Sequence, residues 1–409
     1  MAELRVPITE SGAAAELRGT SLSQPSPGSQ ASLRNRNQQR VIEALVKVGA
    51  STQADLARLT GLSTATISNI VSQMAKSGLA SLTPTTSSGR RAVLVRLVSG
   101  NETIAAGIGF GRRHLRVVLV RSDYTIVAEE SIVLPPRYDP RLGFDFASAL
   151  LAELLERTGI VAAALSGVGV GIPGAIDRRY DMPVIGTVWA EWAFVDVIGE
   201  LKQRLGVTVV LDNDANLGSM AETIWGPFRR ATNLVFLKVG SGIGAGLILN
   251  GQPFRGATGV TGEVGHVQVV ADGAVCRCGN RGCLEAEASI SAMLERLRTV
   301  TAIESTEQLV AAALAGDVTV RRVIEDAGRM IGHVLGDLAS VLSPEVIVVG
   351  GPLAPLGSIF IDPIAQSFNR QVLPVIQEST MLVASTLGDR GDALGAAATI
   401  FHRSHVSTN

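Results

Sequence analysis

Cysteine is almost absent from this chain of 409 residues: there are 3, and all lie between Cys276 and Cys283. An odd count crowded into one loop argues for a metal rather than a disulfide framework, with free cysteines in a reducing cytosol as the alternative. Long apolar runs are missing as well. The longest uncharged stretch, residues 159–176, is interrupted by glycines and Pro173, which suits buried strand and loop and excludes a membrane helix. The N-terminus carries Glu3 and Glu10 and no apolar core, which excludes a secretion signal, so a cytoplasmic protein is expected. Net charge is close to nil at −1, and lysine is scarce beside arginine. What is abundant is apolar side chain, 46%, and glycine, 44 residues, the composition of an α/β protein of two or three folded units.

Residues 1–30 are rich in Ala, Ser, Gly and Pro without an apolar period and read as a disordered tail. Residues 31–98 carry a net charge of +7, which leaves −8 for the rest: a basic module on an acidic body. From residue 99 to 409 the sequence is glycine-punctuated α/β text.

The basic module reads as a winged helix. Val41, Ile42, Leu45 and Val46 give a first amphipathic helix, and Leu56 and Leu59 mark a second that opens after Ser51 or Thr52 as cap. Gly61 breaks the chain. Ser63 can cap a third helix whose Ile67, Ile70, Val71 and Met74 recur at helical spacing, with Thr64, Thr66, Ser68 and Asn69 largely opposite. After Gly78, Leu79 to Thr83 and Ala92 to Leu97 can pair as a hairpin around a polar tip ending in Arg90 and Arg91. Short hydroxyl and amide groups near a helix start suit phosphates and base edges in the major groove, and paired arginines suit the minor groove. Ser63, Thr64, Thr66, Ser68, Asn69, Arg90 and Arg91 are therefore the expected contacts to double-stranded DNA. The competing reading is a small helical protein-interaction domain with a solvated basic face.

His266, Cys276, Cys278 and Cys283 offer one nitrogen and three sulfurs, a full tetrahedral set for structural zinc that leaves no open position for catalysis. Two glycine-rich hairpins, residues 107–111 and 240–246, suggest an internal duplication.

Leu211-Asp-Asn-Asp-Ala-Asn216, Gly240-Ser-Gly-Ile-Gly-Ala-Gly246, Gly262-Glu-Val-Gly-His266, Cys276-Arg-Cys-Gly-Asn-Arg-Gly-Cys-Leu-Glu285 and Val346-Ile-Val-Val-Gly-Gly351 together resemble the ROK family of repressors, open reading frames and kinases. The resemblance runs from about residue 33 to the end and implies an α-rich winged helix-turn-helix followed by a two-lobed α/β domain of the actin-like ATPase (sugar kinase) fold. It implies a sugar site at Asn213, Asp214, Glu263, His266 and Glu285, with Asp214 at the kinases' general-base position; capping of the following helix by Asn213 and Asp214 stays open beside it. The kinases' Asp-x-Gly-Gly-Thr-Lys loop is replaced here by Gly109-Phe-Gly-Arg-Arg-His114, whose arginines block close approach to phosphate. The expectation is a sugar-responsive repressor of carbohydrate metabolism that binds operator DNA and a sugar or sugar phosphate, with no catalytic role, as a homodimer or homotetramer and with no membrane partner. The alternative is an active sugar kinase with a fused DNA-binding domain.

Overall fold

The computed structural model describes residues 37–404 apart from 39, 43, 46, 47, 77–79, 88, 89, 98–102, 136, 137 and 188. The expected tail over 1–30 lies outside the described residues. The chain divides into two compact units, Met1–Val98 and Ser99–Asn409.

In the first unit a helix within residues 37–48 buries Val41, Ala44 and Leu45. A two-residue strand β1 (Ser51–Thr52) leads into α1 (Gln53–Thr60), where the Thr52 hydroxyl accepts the Asp55 amide at 3.2 Å and Gly61 closes the helix at φ 66°. Left-handed backbone of this kind favours glycine. Leu56 is buried as expected, but Leu59 is 53% exposed, and Thr60 takes the inward position by bonding its hydroxyl to Leu56 O. The one-turn spacing from Leu56 to Thr60 follows the helical repeat more closely than Leu56 to Leu59. In α2 (Thr64–Lys76) all four predicted core residues, Ile67, Ile70, Val71 and Met74, are buried, and the Ser63 hydroxyl accepts the Thr66 amide at 3.1 Å. Strands β2 (Ala80–Ser87) and β3 (Arg90–Leu97) pair in the ladder from Ala80↔Leu97 to Ser87↔Arg90. The wing is thus longer and its tip shorter than the sequence suggests, because backbone pairing continues through the polar residues expected to form a loop. β1 pairs the other edge of β3.

The second unit contains two sheets of one topology. In the first, β4 (Ile104–Phe110), β5 (His114–Arg121) and β6 (Ile126–Val133) form an antiparallel meander. Helix α3 (Pro140–Thr158) leads to β7 (Leu165–Ile172), parallel to β4. After the short ribbon β8 (Ile176–Asp177) and β9 (Met182–Pro183), α4 (Val197–Leu205) leads to β10 (Val209–Asn213), parallel to β7. Helix α5 (Asp214–Ile224) then crosses to the second sheet, where β11 (Leu234–Val239), β12 (Ile243–Leu249) and β13 (Gln252–Phe254) repeat the meander. Helices α6 (Leu284–Ala288), α7 (Ile290–Arg298), α8 (Thr306–Ala315) and α9 (Val318–Leu342) precede β14 (Val346–Gly350), parallel to β11. Helices α10 (Ser358–Gln371) and α11 (Pro374–Ser379) lead to β15 (Met381–Ala384), parallel to β14, and α12 (Gly391–Ser404) ends the fold. The duplication inferred from two hairpins therefore extends over both sheets.

Two helices, α5 and α12, lie between the sheets. Glycines make this possible: a Cβ at Gly107 would stand 1.9 Å from Ala393 O, and one at Gly169 would stand 1.8 Å from Ala396 O. Gly107 of the first hairpin thus serves helix-on-sheet packing. Among the described residues no helix is long and apolar enough to cross a membrane.

Candidate ligand cleft and metal cluster

The site grows from the end of β10. The Asn213 side chain accepts the amides of Ala215 at 2.9 Å and Asn216 at 3.1 Å, so it caps α5. Its Nδ2 donates to Gly174 O at 3.0 Å and to Asp214 Oδ1 at 3.2 Å. Both ends of this amide are used, which makes Asn213 a positioning residue for Asp214 and for the loop carrying Gly174. Just upstream, the Asp212 carboxylate, 2% exposed, accepts Arg178 at 2.5 Å and Arg255 at 2.6 Å through Oδ2, and the Asn213 amide at 2.9 Å through Oδ1. The two arginines come from segments far apart in sequence that meet in space, the β8–β9 ribbon and the loop after β13, where Arg178 N donates to Thr258 O at 2.9 Å. Asp212→Ala would take away the carboxylate that the two guanidinium groups share. We expect a loss of about 3 kcal/mol, the low end for a broken buried pair because both arginines reach solvent, read as a lower urea midpoint for the second unit.

Asp214 opens α5, buried, with Oδ2 at 2.9 Å from Lys238 Nζ on β11. Lys238 also lies 3.3 Å from Asp392 Oδ2 at the start of α12. Burial disfavours the ammonium, but the Asp214 and Asp392 carboxylates outweigh it and hold Lys238 above the ordinary lysine range. Glu263 precedes the short helix Val264–His266, with Oε2 at 3.7 Å from His266 Nε2. Burial first, and then the charges of Asp214 and Glu285, push its carboxyl up to about 7. Glu285, on α6, is buried; Oε2 accepts the Ile243 amide at 3.0 Å and Oε1 accepts Arg277 Nε at 2.7 Å. A Cβ at Gly242 would stand 2.4 Å from Glu285 Oε2, so this glycine of the second hairpin admits the carboxylate. All five expected sugar contacts share one neighbourhood. Glu263 differs from its neighbours in having no close hydrogen bond among those described, so it is the carboxylate freest to take a new donor.

Beside this group, a cleft of about 680 Å³ is lined by Arg112, Tyr138, Trp189, Trp192 and Arg277 among others. Aromatic faces with a few polar groups are the usual lining of a small-molecule site. Lys238, Arg277 and Asp392 were missed from sequence. Arg277, inside the cysteine run, had a positional signal; the other two had none.

His266, Cys276, Cys278 and Cys283 come together with their ligand atoms all within 4.8 Å of one another, a group that could hold a metal ion. His266 Nδ1 lies 3.5 Å from Cys276 Sγ, and Cys278 Sγ lies 3.7 Å from Cys283 Sγ. The loop is fixed by its own backbone, with Cys276 N donating to Asn280 O at 2.8 Å and Gly282 N to Ala274 O at 2.8 Å. His266 thus turns one ring nitrogen to the cysteines and the other to Glu263.

In the first unit, Ser63, Thr64, Ser68 and Asn69 are exposed on or just before α2, and Thr66 is half-buried with its hydroxyl 2.8 Å from Ser63 Oγ. Arg90 and Arg91 fall at the start of β3; their side chains lie outside the described residues.

A ROK family model matches residues 105–403, and a MarR family model matches residues 34–91. The chain is 26% identical over 365 residues to a xylose repressor of Bacillus spizizenii, covering 89% of this chain and 94% of the relative. It is similar to the crystal structure of a ROK family transcriptional regulator homologous to the Escherichia coli Mlc protein, at 25% identity and a TM-score of 0.72, over 91% of this chain and 97% of that one. A ROK family glucokinase from Streptomyces griseus, solved with glucose and AMPPNP, is 26% identical with a TM-score of 0.63, over 72% of this chain and 98% of the kinase.

Proposed function

The chain belongs to the ROK family, and on that premise we propose that it is a sugar-responsive transcriptional repressor of carbohydrate metabolism. The observation that carries this reading is the presence in one chain of a winged helix with a polar exposed face at Ser63, Thr64, Ser68 and Asn69 and a cluster of Asp214, Glu263, His266 and Glu285 that Arg277 joins to the cleft beside it. The winged helix reads operator DNA; the cleft takes a sugar or sugar phosphate. Selection from a random duplex pool by the full chain tests it: a two-fold symmetric motif is expected, as a dimer or dimer of dimers reads two half-sites. Recovery of no common sequence would overturn the DNA reading.

Kinase chemistry is the weaker reading. Arg112 and Arg113 replace small residues of the first phosphate loop, and both Asp214 oxygens already accept hydrogen bonds. A proton acceptor in phosphoryl transfer needs an oxygen open to the sugar hydroxyl.

The wing arginines should act mainly through phosphates. Arg90→Ala with Arg91→Ala is expected to weaken binding on all sequences and to flatten the plot of log affinity against log salt by about 2, roughly one for each phosphate that is no longer neutralised. An unchanged slope in anisotropy titrations would remove the wing from the interface. Thr66→Ala or Asn69→Ala should instead erode preference among sequences.

We propose that His266, Cys276, Cys278 and Cys283 hold a structural zinc. Bonds of about 2.3 Å to sulfur and about 2.0 Å to nitrogen set the edges of a zinc tetrahedron at ~3.8 Å and ~3.5 Å. The observed 3.7 Å and 3.5 Å separations support that fit. A bound zinc would supply folding energy to the loop and fix the His266 ring, leaving Nε2 for Glu263 or a ligand.

A further inference from the structure

We infer that Lys238 is a built-in cation: its ammonium holds the place between the Asp214 and Asp392 carboxylates that a divalent ion would take, and keeps this centre closed to metal and to proton abstraction. The geometry is that of a bridged pair, with Nζ at 2.9 Å from Asp214 Oδ2 and 3.3 Å from Asp392 Oδ2. Each carboxylate stands in the first turn of its helix, α5 or α12, and Asp392 Oδ1 accepts the Ala393 amide at 2.7 Å. Helix N-termini favour negative charge, so two carboxylates held face to face there require a cation between them.

Gly109 supplies an independent observation. A Cβ at that position would stand 2.6 Å from Asp392 Oδ1 and 2.8 Å from its Cγ. The space that an aspartate at 109 would fill is therefore taken by the Asp392 carboxylate reaching over from α12. A carboxylate thus stands at this point from α12, and the positive charge beside it is a side chain's. Lysine suits the role: its compact ammonium fits between two single oxygens, whereas the planar fork of an arginine matches paired oxygens of one carboxylate. In a chain with so few lysines, that choice at 238 is specific.

One consequence is that ligand binding in this cleft needs no magnesium. The inference extends the regulator reading by saying how the cleft holds a ligand without turning it over, but its test reads cation binding alone, so it can fail while the sugar and DNA readings stand. Mn2+ binding to the full chain, followed by electron paramagnetic resonance, is the measurement. Lys238→Ala is expected to bind one Mn2+ per chain at least tenfold more tightly than the unmodified protein. Adding Asp392→Asn should return binding to the unmodified level. If Lys238→Ala does not fold, Lys238→Gln carries the same expectation, since it preserves length and removes only the charge. A folded Lys238→Ala or Lys238→Gln protein that binds no more Mn2+ than the unmodified chain overturns the inference. So does Mn2+ binding by the unmodified chain that disappears in Asp392→Asn.

Discussion

Glu263→Ala is expected to abolish the effect of the sugar on operator affinity while leaving sugar-free DNA binding intact. The carboxylate is held among Asp214, Glu285 and the half-buried His266, and burial with the neighbouring negative charge already disfavours its ionised form. A sugar hydroxyl donating to it relieves that cost, so Glu263 gains more from the ligand than a carboxylate already bonded to protein, such as Glu285. An effector shifts DNA affinity only through its different affinity for the DNA-competent and incompetent states, and a typical coupling of about 1–3 kcal/mol corresponds to roughly 5–150-fold in operator affinity. Linkage requires operator DNA to change sugar affinity by the same factor. Anisotropy titrations with a panel of free and phosphorylated sugars, with and without the substitution, supply the measurement. The substitution removes a carboxylate that its surroundings disfavour, so loss of fold is not the expected outcome. A variant that still responds fully would show that the effector acts elsewhere.

Cys283→Ser should produce the second large effect, lowering thermal stability and sugar affinity together. Cys283 is buried directly before α6, and the helix it introduces carries Glu285 two residues later. Loss of one thiolate leaves three ligands, and metal binding in such loops is folding free energy, on the order of 10 kcal/mol for isolated zinc domains. Here the backbone bonds of the loop and the Arg296–Glu287 pair at 2.6 Å retain part of the structure, so a local loosening is expected. Because His266 and Glu285 sit at its two ends, sugar affinity should fall about 10–100-fold, the range seen when groups that orient a metal site are removed. Metal content should drop from one zinc per chain to less than a tenth. Unmodified protein that contains no metal, or a variant that keeps full sugar affinity, would separate the cluster from the cleft.

The local features of this protein were legible in its residues. Helical spacing placed Ile67, Ile70, Val71 and Met74 on the buried face of α2, since that pattern depends only on the repeat of one helix. Cysteine spacing marked a group that could hold a metal ion within a short loop. The capping reading of Asn213 holds: the side chain caps α5 and, through the same amide, orients Asp214. Leu59 failed as a core residue because two apolar positions leave the face of a short helix undefined, and the β3 pairing fixed which side turned inward.

Elsewhere the sequence supplied residues without their partners. Gly109 read as a lost carboxylate, yet Asp392 fills its place from the far end of the chain. Lys238 carries no local signal in the sequence, because it meets a partner 154 positions away. Composition, periodicity and cysteine spacing thus determined the two-unit plan, the helix faces and the cysteine loop, because each is set by neighbours within a few residues. The charge state of the cleft was decided only when α5 and α12 packed between the two sheets, since electrostatic pairing depends on distance in space and the chain does not record that distance.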